Sequence, residues 1–247
     1  MPKVSIIMPA FNAEGYIEKA IASVKCQSFT DWELLVTDDC SEDGTFATVK
    51  KLTEGDPRIK LFENSCGKGP GAARNCSIQY ALGKYLAFLD ADDLWCPKKL
   101  EIQVARMDKE NLDFTFTAFS HVDEAGEKLR AIDVPKLVTY SDLMRGNVIA
   151  TATVMIRRGA FKDLHMPDFP RAQDFALWLK LLREVDAAVG LQDFLGYYRL
   201  TPNEGSRRKA FAIKYLYDIY RKQEGKTPMG SVVLILRMLV HRAAKYR

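Results

Sequence analysis

Short apolar runs alternate with amphipathic stretches through the first 110 residues. Val4–Met8, Leu34–Thr37, Ile59–Phe62 and Tyr85–Leu89 are rich in branched and aromatic side chains and read as buried strands. Residues 14–27, 45–53, 71–82 and 97–109 carry helical spacing between them; in the first, Tyr16, Ile17, Ala20, Ile21 and Val24 share one face. That alternation predicts a largely parallel, Rossmann-like sheet covered on both sides. Past residue 110 the period shortens: Asp113 to Phe119 alternates every two residues, and Asp123-Glu124-Ala125-Gly126 suits a hairpin turn. A strand over Ala152–Ile156, a helix over 173–184 and a strand through Leu195–Arg199 complete a mixed, partly antiparallel second half. The expected fold class is α/β, with 1–110 and 111–205 as two halves of one domain and 206–247 as a helical tail.

A length of 247 residues suits this reading and allows a full core. The net charge of +4 hides an asymmetry, because Ser206 to Arg247 holds eleven Lys or Arg against Asp218 and Glu224. The tail thus carries +9 and the body −5. An acidic body without a basic stripe argues against a nucleic-acid reader, while the tail suits a polyanionic surface such as anionic lipid. Cys26, Cys40, Cys66, Cys76 and Cys96 are odd in number and lack C-x-x-C spacing, which predicts free thiols in a reducing compartment. The chain enters a strand-like run directly at Val4 with no export signal ahead of it, so the expected location is the cytoplasm.

Two acidic tips interrupt the apolar pattern. Asp90-Ala91-Asp92-Asp93 closes the fourth strand run, and Asp38-Asp39-Cys40-Ser41-Glu42-Asp43-Gly44-Thr45 closes the second. Both fall at the carboxyl edge of the predicted sheet, where open α/β folds bind ligands. Crowded acids repel one another unless one is protonated, meets a basic partner or holds a hard divalent cation. Asp43 to Thr45 suits a turn, leaving Asp39 to face a ligand as a hydrogen-bond acceptor.

Five motifs now stand in order: Ser5-Ile6-Ile7-Met8-Pro9-Ala10-Phe11-Asn12, the Asp38 to Thr45 run, Gly71-Ala72-Ala73-Arg74-Asn75, Asp90-Ala91-Asp92-Asp93 and Gln173-Asp174-Phe175-Ala176-Leu177-Trp178. Their order and spacing resemble the family 2 glycosyltransferases with the GT-A fold, over residues 3 to about 200. The resemblance implies a nucleotide-sugar donor, a divalent cation (Mn2+ or Mg2+) and inversion at the anomeric carbon. By that resemblance Pro9, Phe11 and Asn12 line the nucleotide, Asp39 contacts uracil, and Arg74 touches the nucleotide or its phosphates. Asp92 would hold the metal and Asp90 the ribose or metal-bound water. Asp174, with Leu177, Trp178 and Leu181 following at helical offsets, sits on the apolar stripe of its helix and is the expected general base.

This chain departs from the family pattern twice: Gln173 stands where Glu is common, and Thr201 stands where many relatives place His. His121, His165 and His241 show no ligand spacing and read as bystanders. The glycines of Gly67-Lys68-Gly69-Pro70-Gly71 lack the tight strand-turn-helix passage of a dinucleotide fingerprint, and they read instead as a loop that lets backbone approach a ligand.

In the tail, Val232, Leu236, Val240 and Ala243 form an apolar side beside Arg237, His241 and Lys245, too short a run to span a bilayer. It suits either an amphipathic helix on an anionic membrane, at the inner face of the cell membrane, or a helix docked on protein. Tyr215 to Lys222 also looks like the tails of bacterial cell-surface polysaccharide transferases. The implied activity is transfer of a sugar, a hexose most readily, from a nucleoside diphosphate donor, UDP-sugar favoured, to a hydroxyl of a growing surface glycan or lipid-linked acceptor. The alternatives are a sugar nucleotidyltransferase and a non-catalytic nucleotide-sugar-binding protein.

Overall fold

The structure is a computed structural model describing residues 1–65, 67–200 and 213–245, with the side chains of 240–245 left aside. Strands β1 (Val4–Ala10), β2 (Trp32–Asp38), β3 (Ile59–Glu63) and β4 (Tyr85–Phe88) alternate with helices α1 (Ile17–Lys25), α2 (Thr45–Gly55) and α3 (Pro70–Gln79). These four strands pair in parallel in the order β3-β2-β1-β4, as the strand-helix alternation predicts. The second half adds β5 (Leu94–Trp95), α4 (Lys99–Lys109), β6 (Phe114–Val122), β7 (Lys128–Ile132), β8 (Leu137–Val138), α5 (Tyr140–Leu143), β9 (Met155–Arg157), α6 (Gln173–Leu181) and β10 (Ala188–Arg199). A single ten-stranded sheet results, continuing from β4 through β9, β6, β10 and β5. The pair β9–β6 is antiparallel and β6–β10 parallel, so the second half is mixed.

The period of two in each strand sends alternate residues to opposite faces. In β1, Val4, Ile6 and Met8 join α1 and α4 in one core, while Ile7 joins α6 in the other. At the start of β4, Gly83 permits a close approach: a Cβ there would lie 2.5 Å from the backbone nitrogen of Ser5. Any side chain would push β4 off β1.

Helix α6 differs from its expected one-sided form. Phe175, Ala176, Leu177, Trp178 and Leu179 are consecutive and all buried, because the helix is roofed by the tail as well as floored by the sheet. Trp178 meets Phe88 edge-on at 5.3 Å and Phe114 at 5.4 Å. Above, Phe175 meets Tyr220 edge-on, and Gln223 donates to the Ala176 carbonyl at 2.8 Å.

The first part of the tail therefore belongs to the core. A helix over 213–218 runs into a wider π turn, Ile219–Gln223, and Ile219 and Tyr220 are fully buried. Burial pushes the Tyr220 phenol up to about 12. Glu224, also buried, accepts from the Tyr140 hydroxyl and the Arg183 guanidinium. The last helix, α7 (Pro228–Lys245), packs Ile235 and Met238 into the same core. Its opposite side leaves Met229, Val232, Val233, Leu236 and Leu239 exposed.

Residues 152–156 do not form the strand expected of them. Thr151–Thr153 is a 3-10 turn, and the strand begins only at Met155. Cys26, Cys40, Cys76 and Cys96 are free thiols, as expected, while Cys66 and Thr201 lie outside the described residues.

Candidate active site

The loops after β1 and β2 are laced together at the carboxyl edge. The Asn12 amide donates to Ser41 Oγ at 3.1 Å, and Asn12 Oδ1 accepts from the Glu42 amide at 2.9 Å. The Ala13 amide donates to Thr45 Oγ1 and the Glu14 amide to Asp43 Oδ2, so the segment leading into the first helix is held by the second loop. Gly44 leaves room for the Glu14 carboxylate, which accepts from its amide at 3.2 Å; a Cβ there would stand 2.2 Å from Glu14 Oε1 and displace it. Asp43 builds the turn into α2 by accepting from the Thr45 amide at 3.0 Å. Phe11 is left 57 % exposed, a flat apolar face above this edge. Pro9, by contrast, is buried in β1 opposite Thr37, at the strand end that leads into this loop.

Asp39 is half-buried, with both carboxylate oxygens engaged. Asn64 Nδ2 donates to one at 2.6 Å and the Gly69 amide to the other at 2.7 Å. Gly69 has φ 93°, a conformation open to glycine, which turns its N–H toward Asp39 just before Pro70 starts α3. The glycine loop is thus tied to the first acidic tip.

At the second tip the three acids are handled differently. Asp90 is ion-paired with the buried Arg74 guanidinium. Asp93 is 2 % exposed; burial, helped by the charges of Asp90 and Asp92, holds its carboxyl well above the usual range, while the Arg199 amide accepted by Oδ1 at 2.9 Å opposes this. Arg199 in turn donates through Nε to the Asp92 carbonyl and through Nη1 to Asp123 and Glu124, clamping the tip to the β6–β7 hairpin. Arg199 thus has a structural use that motif reading did not give it. Asp92 stays half-buried at the edge.

The donor set at this tip is oxygen only, which fits a hard cation. Among the described residues no three His, Cys, Asp or Glu side chains converge as a metal cage. Asp92 with Asp90 suits an ion that completes its shell from phosphates and water, the usual habit of magnesium.

Asp174 stands in the first turn of α6, half-buried, and Oδ2 accepts from Thr151 Oγ1 at 2.7 Å. The 3-10 turn presents that hydroxyl, a partner no local pattern announced. Gln173 is 7 % exposed, and its Cγ would lie 2.9 Å from a Cβ placed on Gly71, so the amino ends of α3 and α6 abut here. Arg74, Asp90, Thr151, Gln173 and Asp174 all line one cavity of about 920 Å³. His121 lines it too, ringed by Phe119 and Tyr198, so it is no bystander in position. His165 is remote from this role: its Nδ1 lies 3.2 Å from Asn75 Nδ2 beneath the sheet edge. The cavity gathers Arg74, Asp90 and Asp174, while Phe11, Asn12 and Asp39 form a separate edge beyond it.

A parallel half-sheet with two acidic tips at its carboxyl edge, a mixed second half and a carboxylate opening onto a cavity from a helix start are the architecture of a glycosyltransferase with the GT-A fold. It belongs to glycosyl transferase family 2, whose family model matches residues 5–164. The sugar nucleotidyltransferase alternative is set aside by that membership. A Bacillus subtilis glycosyltransferase named for teichuronic acid biosynthesis, TuaG, is 38 % identical over 224 residues, covering 90 % of this chain and 89 % of its own. The Escherichia coli UDP-Glc:alpha-D-GlcNAc-diphosphoundecaprenol beta-1,3-glucosyltransferase WfgD is 36 % identical over 238 residues, covering 96 % and 92 %. Among solved structures, S. aureus TarS in complex with UDP-GlcNAc matches 96 % of this chain and 71 % of its own with a TM-score of 0.74 at 22 % identity. The Pyrobaculum calidifontis mannosyltransferase PcManGT, in complex with GDP-Man and Mn2+, matches 98 % and 74 % with a TM-score of 0.70 at 18 % identity.

Proposed function

We propose that this glycosyltransferase moves a hexose, with inversion and with a divalent cation, from a UDP-sugar to a sugar hydroxyl on a lipid-linked acceptor of a bacterial surface glycan. The observation that carries this reading is Asp174, opening onto a cavity from the start of α6 with the Thr151 hydroxyl as its hydrogen-bond donor. A carboxylate so held keeps lone pairs for a proton from an acceptor hydroxyl as that oxygen attacks the anomeric carbon. One displacement from the face opposite the leaving group inverts that carbon. Phe11 and Asp39 flank the place for the uracil, Asp39 through whichever lone pairs Asn64 and Gly69 leave open. Arg74 lies against the diphosphate and pairs with Asp90 beside it. Asp92 and Asp90 would hold the cation, which supplies charge neutralisation for the departing nucleoside diphosphate.

The donor and acceptor classes draw on the relatives, one of which is named for UDP-Glc and a diphosphoundecaprenol-linked GlcNAc. No helix among the described residues is long and apolar enough to cross a membrane. An acceptor anchored in lipid is then met from the cytoplasmic side, with the exposed face of α7 resting on the anionic inner face of the membrane. The test is Asp174→Asn: donor binding by calorimetry should stay near wild type while transfer falls by about 10²-fold or more. Transfer at the wild-type rate would make Asp174 structural. Donor binding with neither donor hydrolysis nor transfer, under every acceptor tried, would favour a non-catalytic nucleotide-sugar-binding role.

A further inference from the structure

The cavity beside Asp174 extends well beyond the reacting residues. Its wall continues along residues 145–151 and reaches α7, where Arg145 and Arg237 stand on it. Arg237 is exposed and has no ion pair among the described residues. Arg145 is 69 % exposed and only approaches Asp142 Oδ1 at 3.5 Å, while Asp142 Oδ2 serves the capping box of α5 through the amide and hydroxyl of Thr139. A further acid of this wall, Asp133, belongs to the β7–β8 connection. Two cations of low commitment therefore share a cavity with the proposed base.

Apolar surface adjoins them. Leu236 precedes Arg237, Val233 lies one helical turn before it, and both are exposed, as is Leu137 on the cavity wall. Guanidinium groups beside hydrocarbon, on a cavity of mixed polar and apolar lining that also holds a carboxylate, match a ligand with three parts: chain, phosphates and sugar.

We infer that Arg145 and Arg237 form the subsite for the phosphates of a lipid diphosphate-linked sugar, placing its terminal sugar hydroxyl at Asp174. The inference rests on the acceptor reading given above and assigns it two residues.

Transfer from UDP-glucose would be measured to two acceptors, GlcNAc-diphosphate on a lipid chain and the same sugar as a phosphate-free alkyl glycoside. Arg145→Gln with Arg237→Gln should raise KM for the diphosphate acceptor about tenfold or more, and should lower the preference for it over the glycoside by the same factor. Both side chains are exposed, so the melting temperature should hold, and Arg145→Lys with Arg237→Lys should restore part of the preference. An unchanged preference in the Gln variant overturns the subsite while leaving the acceptor reading standing. Equal losses on both acceptors also overturn it. A wild-type enzyme that uses the glycoside as well as the lipid diphosphate, or the latter not at all, overturns the acceptor reading itself.

Discussion

Asp90, Asp92 and Asp93 are adjacent in sequence yet meet three different environments. Arg74 pairs with Asp90, burial drives Asp93 toward its protonated form, and Asp92 remains half-buried at the edge, where we propose that it holds a cation. These are the three standard answers to crowded carboxylates, used side by side. Replacing Asp92 by Asn should therefore remove the manganese-dependent gain in UDP affinity and leave the metal-free affinity near wild type. Calorimetry with and without manganese reads this directly, and a persisting metal-dependent gain would move the cation to another residue. The acidic tip was legible because acids in an apolar run have no structural motive. Which acid does what was not, because Arg74 is 16 residues away and Arg199 is 106 from Asp93.

At the scale of elements, the 3-10 turn Thr151–Thr153 is the instructive departure. Thr153, Val154 and Ile156 favour extended backbone, and their local preference predicts a strand from 152. Tertiary hydrogen bonds override it: Trp95 Nε1 donates to the Ala152 carbonyl at 2.7 Å, and Gln103 Nε2 and Lys99 Nζ donate to that of Thr153 at 3.1 and 3.3 Å. The turn so held aims the Thr151 hydroxyl at Asp174. Lys99 is fully buried, and burial pushes its amine down from 10.5 to about 7, opposed by Cys96. Between those two values the unfolded chain holds a proton that the folded one releases, so stability from this group rises with pH across the window and is lowest below it. Urea unfolding at pH 7 and pH 9.5 should show a rise for wild type of about 1 to 4 kcal/mol relative to Lys99→Met, in which this contribution is absent. The same slope in both proteins would mean that Lys99 stays charged in the folded protein throughout.

On the scale of the whole molecule, the tail has two faces. Ile235 and Met238 are buried in the body, whereas Val232 and Leu236 face outward. Both sequence-derived possibilities, docking and membrane contact, are thus compatible on one helix, although removing residues 227–247 would uncover core instead of leaving the body intact. The sharper test changes only the outer face. Val232→Glu with Leu236→Glu should keep the melting temperature and cut co-sedimentation with anionic vesicles at low salt, and wild-type binding should weaken as salt rises. Wild-type protein that stays in the supernatant at low salt would assign the face to a protein partner. His241 and Lys245, which completed the expected basic stripe, have side chains outside the description.

The sequence by itself determined the parallel first half, the mixed second half, the two acidic edges and the family. Each of these is written in spacing along one element or in motif order along the chain, and strand period and helix period report a single element's faces. Tertiary structure decided that α6 is buried all round, that Asp39 is held by Asn64 and Gly69, that Asp90 is paired, and that Thr151 meets Asp174. It also decided that one cavity runs from Asp174 to α7. Those outcomes depend on groups brought together from distant parts of the chain, and burial, pairing and cavity shape are properties of that meeting.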